Sequence, residues 1–158
     1  MTKKFNQYLG KAGHLTIMSE FLMLGWNVAI PEVDIGDDIF VVQDDNGTLR
    51  RVQVKTSTAT VRKDGFSGQF SVSVKNLRTI SNILVHYIFI VRHNDEWSKA
   101  VIIRQDYLLD HFENNNVGSE AKGNITFYFS YTKATVECAG QNFTKYIRDF
   151  SDFPKIEH

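Results

Sequence analysis

Two neighbouring stretches hold the residues whose types and spacing suit chemistry. In LRRVQVKT, residues 49 to 56, Val52 and Val54 alternate with Gln53 and Lys55. In a strand, successive side chains point to opposite faces, so the valines share one side and Gln53 and Lys55 the other. A lysine on a covered face costs several kcal/mol unless an anion or a wet cleft receives it. The acidic stretch PEVDIGDD, residues 31 to 38, supplies the anion: Asp38 lies eight residues before Asn46, and Lys55 lies eight after Gly47. Asn46 and Gly47 form the dipeptide best suited to a tight hairpin turn, which would return Lys55 and Gln53 to the end of the hairpin that Asp38 occupies. A carboxylate, an amide oxygen and an ammonium in one cleft suit a hard divalent cation, Mg²⁺ or Mn²⁺. Lys55 would orient or deprotonate a water and balance charge in the transition state. The plainer reading of an isolated Gln-x-Lys is the exposed face of an ordinary hairpin.

The elements that must position these residues follow from hydrophobic spacing. Residues 8 to 24 read as a first helix, with Leu15, Met18 and Leu22 on one stripe, Phe21 beside it and Gly25 as the cap. A brief strand, residues 26 to 30, stops at Pro31, and two antiparallel strands, Ile39 to Gln43 and Leu49 to Thr56, flank the turn. The polar residues 57 to 68 read as a mobile loop, 69 to 74 as a short strand and 75 to 82 as a short helix. The nearly all-apolar LVHYIFIVR, residues 84 to 92, marks a strand buried on both faces. A returning strand at 99 to 104, a helix in QDYLLDHFENN, strands near 124 to 130 and 133 to 138, and a last amphipathic helix in TKYIRDF complete the chain. This order predicts an α/β fold with a central mixed β-sheet flanked by helices.

The chain has 158 residues, 42% hydrophobic and 23% charged, which is enough to bury a core in one domain spanning 1 to 158. Lysine and arginine balance aspartate and glutamate at 18 each, so attraction to a polyanion has to come from a local patch. Such a patch is present. Glu32, Asp34, Asp37, Asp38, Asp44 and Asp45 form an acidic block without a base. Arg50, Arg51, Lys55, Arg62, Lys63, Lys75 and Arg78 then follow against the single acid Asp64. An acidic edge beside a basic rim suits a phosphodiester substrate, with Arg50, Arg51, Arg62 and Lys63 as candidate DNA contacts. One cysteine, Cys138, reads as a buried strand residue in a reducing compartment. No apolar run reaches the length of a membrane span and the start lacks a secretory core, so the expected setting is soluble and cytoplasmic, away from membranes. The histidines show no zinc spacing, although His14 is a candidate to face a substrate, and the phosphate-loop, dinucleotide and serine-hydrolase motifs are missing.

The combination of helical glutamate, strand-entry aspartate and a (Glu or Gln)-x-Lys on the partner strand resembles the PD-(D/E)XK nuclease superfamily, in its Gln-x-Lys variant. The matching residues are Glu20, Asp38, Gln53 and Lys55, and the likeness covers roughly residues 10 to 105, leaving 106 to 158 as a C-terminal extension. The resemblance implies a restriction-endonuclease-like core and a metal-dependent DNA endonuclease. By it, Asp38 and Gln53 hold the metal together with the Val54 carbonyl, Lys55 positions the attacking water, and Glu20 binds metal through water or tunes the site. Asp37 is the alternative to Asp38; the Asp34-x-Gly36-x-Asp38 frame favours the latter. For Glu20 a surface salt bridge remains the ordinary reading. Gln53 replaces an acid and lowers the attraction for a cation, which keeps open a catalytically inactive nucleic-acid or protein binding module on the same fold. A core this small holds one site, so cutting both strands implies a homodimer, for which the aromatic stretch FYFSY, residues 127 to 131, is a candidate interface.

Overall fold

The structure, a computed structural model, describes residues 2–33 and 39–158. A mixed sheet is built around the apolar run of residues 84 to 92. This run forms β6 (Leu84–His93), which pairs in parallel with β3 (Leu49–Thr58) from Arg50↔Leu84 to Thr58↔Arg92. On the other side of β3, β2 (Ile39–Val42) runs antiparallel with Ile39 opposite Val52, and β1 (Asn27–Ala29) pairs with β2 at the edge. β7 (Glu96–Trp97) and β8 (Val101–Arg104) both pair antiparallel with β6. Gly47 closes the β2–β3 hairpin at φ 70, a conformation glycine adopts without strain, with Gln43 N–H donating to the Thr48 carbonyl at 2.9 Å.

Alternation in β6 explains the layering. Ile88 and Ile90 point to one face, where they join Ile39, Val41, Val52, Val54 and Ile102 under α1 (Lys3–Met23). Tyr87, Phe89 and Val91 point to the other, joining Val101 and Ile103. That second face is covered by a second sheet and by the short helices α2 (Val74–Arg78) and α3 (Gln105–Asn114). The second sheet runs β12 (Gln141–Asn142), β11 (Val136–Cys138), β10 (Asn124–Tyr131), β5 (Gly65–Ser73), β4 (Thr60–Arg62), with β9 (Ser119–Ala121) paired to β10. The expected flanking by helices therefore holds for α1, while much of the opposite face is sealed by strands.

Several local expectations change. Residues 57 to 68 are strand rather than loop: β3 continues to Thr58, and β4 and β5 form a hairpin around Lys63–Asp64. Their Ser and Thr residues are polar because one face meets solvent, and β-branching still favours extension. The TKYIRDF helix is a single 3₁₀ turn, Thr144–Tyr146, after which Arg148 takes φ 49 and the chain bridges to Val101 through Ile147. FYFSY is mostly core: Phe127, Phe129 and Tyr131 are buried and Tyr128 and Ser130 are exposed, so this stretch offers little apolar surface to a second copy. The C-terminal third is stitched to the remainder, since β10 pairs with β5 along its length. Cys138 is buried as expected, and burial pushes its thiol up to about 12, which leaves it unreactive near neutrality.

The first helix starts five residues earlier than its apolar spacing suggests, because Thr2 caps it by accepting from Phe5 N–H at 3.2 Å. It buries Gly13, Ile17 and Phe21, not Leu15 and Leu22, which are exposed. Gly13 sets the distance between helix and sheet, since a Cβ there would overlap Thr56 Cγ2 and crowd Ile90 Cδ1. Alanine in place of a mid-helix glycine ordinarily gains about 1 kcal/mol; here overpacking, typically about 1–3 kcal/mol, opposes it. Gly13→Ala should lower the denaturant midpoint, and adding Thr56→Ser, which removes the clashing methyl, should recover a substantial part of the loss. An unchanged or raised midpoint in Gly13→Ala alone would refute this.

Candidate functional site

The odd-numbered face of β3 is polar along its length: Arg51, Gln53, Lys55 and Ser57. Its register sets these residues beside Val85, Tyr87, Phe89 and Val91 of β6, on the face that looks toward the second sheet. Gln53 is 6% exposed and Lys55 is half-buried. Tyr87 and Phe89 of β6 thus stand beside Gln53 and Lys55, which share one face as the alternation in VQVK predicts. Ser57 Oγ accepts from Gln69 N–H at 3.1 Å and ties this strand to β5.

β2 ends its described pairing at Ile39↔Val52, so Gln53 is the first residue of β3 past that ladder. From Gln53 to Thr58, β3 keeps β6 as its ladder partner on one side while β5 approaches across the other. Gln53 and Lys55 therefore sit on β3 past its described ladder with β2, where β5 approaches. Asp38, one peptide bond before Ile39, lies outside the described residues, as do Asp34 and Asp37. Among the described residues no three His, Cys, Asp or Glu side chains gather at metal-binding distance.

Glu20 is placed elsewhere. Its helix packs on the opposite, valine-bearing face, and its carboxylate accepts from Arg148 Nη2 at 3.2 Å. Arg148 N–H in turn donates to the Ala100 carbonyl beside β8, two strands away from β3. The pair is exposed on both sides, 51% for Arg148 and 39% for Glu20, and is a surface ion pair of small energetic weight. The part of α1 that approaches β3 past Gln53 is the turn of Gly13 and His14, where Gly13 stands over Thr56. His14 is half-buried there, about 9 Å along the helix from Glu20.

The four basic candidates also separate. Arg50 and Arg51 lie at the start of β3 on opposite faces; Arg51 donates to Ser81 Oγ at 3.3 Å, and Arg50 Nε is buried without a hydrogen-bond partner. Arg62 and Lys63 are exposed at the β4–β5 turn, beyond the other end of β3, with Arg62 Nε donating to Ser67 Oγ at 3.0 Å. They flank the Gln53–Lys55 segment from two ends rather than forming one patch.

A second polar cluster was not foreseen. His86 is 2% exposed on the α1 side of the sheet, with Nε2 at 2.8 Å from Asp152 Oδ2. The partners lie 66 residues apart, so no local spacing announces them. Nδ1 is buried without a partner, so a proton there would have no acceptor. Burial lowers the imidazole's pKa below 6.5, more than the bond to Asp152 raises it, and Arg50 and Arg104 push the same way as burial. Above pH 6.5 the histidine is neutral in both folded and unfolded chains. As pH falls below 6.5 the unfolded chain binds the proton first, so stability drops at up to about 1.4 kcal/mol per pH unit. Thermal melts from pH 7.5 to 5.5 should show this decline in the native protein and a shallower one in His86→Gln; parallel slopes would contradict it.

Among the described residues no helix is long and apolar enough to cross a membrane. No family model and no curated protein matches the sequence. Among solved structures the chain is similar to a bacterial homing endonuclease, I-Ssp6803I, with a TM-score of 0.53 at 15% identity, covering 95% of this chain and 90% of that one. At that identity the likeness is one of fold, and it extends over both sheets, including the C-terminal third.

Proposed function

We propose that this chain is a metal-dependent DNA endonuclease of PD-(D/E)XK type, hydrolysing phosphodiester bonds. The observation that carries the reading is Gln53 and Lys55 on one face of β3, just past its described ladder with β2, on a fold similar to that of a homing endonuclease. The residue types suit a hard cation: an amide oxygen from Gln53 and a carboxylate from Asp38, which precedes Ile39 in the sequence. Asp38 and Gln53 would hold Mg²⁺ or Mn²⁺. Such an ion supplies Lewis acidity toward the phosphoryl oxygen and lowers the pKa of bound water. Lys55 orients the attacking water and offsets the negative charge that grows on the phosphate. Lys55 is half-buried on β3 with Phe89 of β6 as its register partner. Glu20, held by Arg148, is assigned no step.

For substrate, the outward face of the second sheet offers hydrogen-bonding side chains and little apolar surface: Gln69 and Ser71 on β5, Tyr128 and Ser130 on β10. Gln69 is joined through its backbone to Ser57 of the site strand. Arg62 and Lys63 stand at one end as phosphate contacts.

Plasmid nicking with Mg²⁺ or Mn²⁺ tests the chemistry. Asp38→Ala and Lys55→Ala should each lower the rate by about 10²-fold or more, whereas Glu20→Ala should stay within a few-fold of the native protein. Equal activity in all of them, or none in the native protein with either ion, would sink the assignment. For binding, Arg62→Ala with Lys63→Ala should weaken DNA affinity whatever the sequence and flatten the slope of log affinity against log salt by about 2. An unchanged slope would remove these residues from the contact surface.

A further inference from the structure

Helix α1 is apolar on both sides, and only one side is used. Gly13, Ile17 and Phe21 face the sheet. Directly opposite, Phe5, Tyr8, Ala12, Leu15, Ser19 and Leu22 follow one another at steps of three, four, three, four and three residues. Every one of them is exposed, Phe5 at 46%, Tyr8 at 67%, and Leu15 and Leu22 at 54% each. A helix apolar all round is ordinarily a buried helix. The stripe itself holds no charged residue, and Lys4 and Lys11, each four residues before Tyr8 and Leu15, border it along one edge.

The spacing decides what covers it. Alternating steps of three and four average 3.5 residues, the period at which a helix keeps one narrow seam against another helix. A helix lying on a lipid surface presents a broader apolar face under a strongly charged one. Small residues at Ala12 and Ser19 alternate with large ones at Tyr8, Leu15 and Leu22, which provides knobs and the holes to receive them. Such a seam is self-complementary, as a two-fold interface demands. The helix is about 31 Å long. Its half-exposed aromatic and leucine side chains, with Met23 at 79% beyond them, present several hundred Å² per copy, on the order of the 800 Å² per partner in a standard interface.

We propose that α1 pairs with α1 of a second copy of this chain through Phe5, Tyr8, Ala12, Leu15, Ser19 and Leu22, forming a two-fold dimer. The inference uses only the two faces of the helix and stands whether or not the chain cleaves DNA. With the endonuclease reading, it supplies the second site that cutting both strands needs.

The test is sedimentation equilibrium of the full chain without DNA or metal, with circular dichroism to follow folding. The native protein should have twice the monomer mass at micromolar concentration. Leu15→Glu with Leu22→Glu should be monomeric with an unchanged spectrum, because both side chains point away from the core. Phe5→Lys, near the end of the seam, should weaken association about tenfold or more while the chain stays folded. A native monomer at about 100 μM, or a dimer undisturbed in both variants, would overturn the proposal. So would a monomeric native protein that floats with anionic phospholipid vesicles through the same residues, since the stripe would then be a lipid face.

Discussion

Strand β6 is apolar on both faces for five residues, from Tyr87 to Val91, and no single layer can cover it. Everything else in the chain is arranged around that demand. The α1 face is sealed by one helix, whose Gly13 lets it lie close against Thr56 and Ile90. The other face is larger and more aromatic, and much of it is sealed by β5 and β10, with Phe70, Phe127 and Phe129 gathered against Phe89. The crossover that parallel pairing of β3 and β6 requires is spent on building that second layer, through β4, β5 and α2.

The polar edge of β3 follows from the same constraint. Val52 and Val54 extend the apolar floor under α1, and period two then leaves Gln53, Lys55 and Ser57 toward the second sheet. They are tolerated because β3 stands at the boundary of that layer, past the described ladder with β2, where β5 makes a side-chain bond. Gln53 is buried at this boundary and Lys55 is half-buried. Lys55 and Gln53 therefore sit on a rigid element, beside buried Tyr87 and Phe89, which limits their freedom in a way a loop would not.

Fold legibility differed by element for physical reasons. The β2–β3 hairpin and β6 were readable because local chemistry decides them: an Asn-Gly turn in one, continuous burial in the other. The strands in residues 57 to 68 were not, because their polar residues look like loop until the second sheet shows that one face is solvated and the other buried. TKYIRDF has helical spacing, yet Tyr146 enters the aromatic cluster around Phe143 and Ile147 bridges to Val101, contacts that outweigh a short helix. In α1 the apolar spacing marked a real stripe, Leu15 to Leu22, but the wrong one for the core; with two apolar faces, hydrophobicity alone does not say which meets the sheet.

The sequence by itself determined that Gln53 and Lys55 share a face, because strand alternation is a property of the backbone and needs no partner. It also determined the hairpin and the doubly buried strand. Only the tertiary structure decided that Glu20 belongs to Arg148 and that His86 is held by Asp152, since each pair joins segments far apart in the chain. It decided, too, that the outward stripe of α1 is left uncovered. Such pairings depend on how layers stack, and stacking is set by the summed burial of the whole chain rather than by any local pattern.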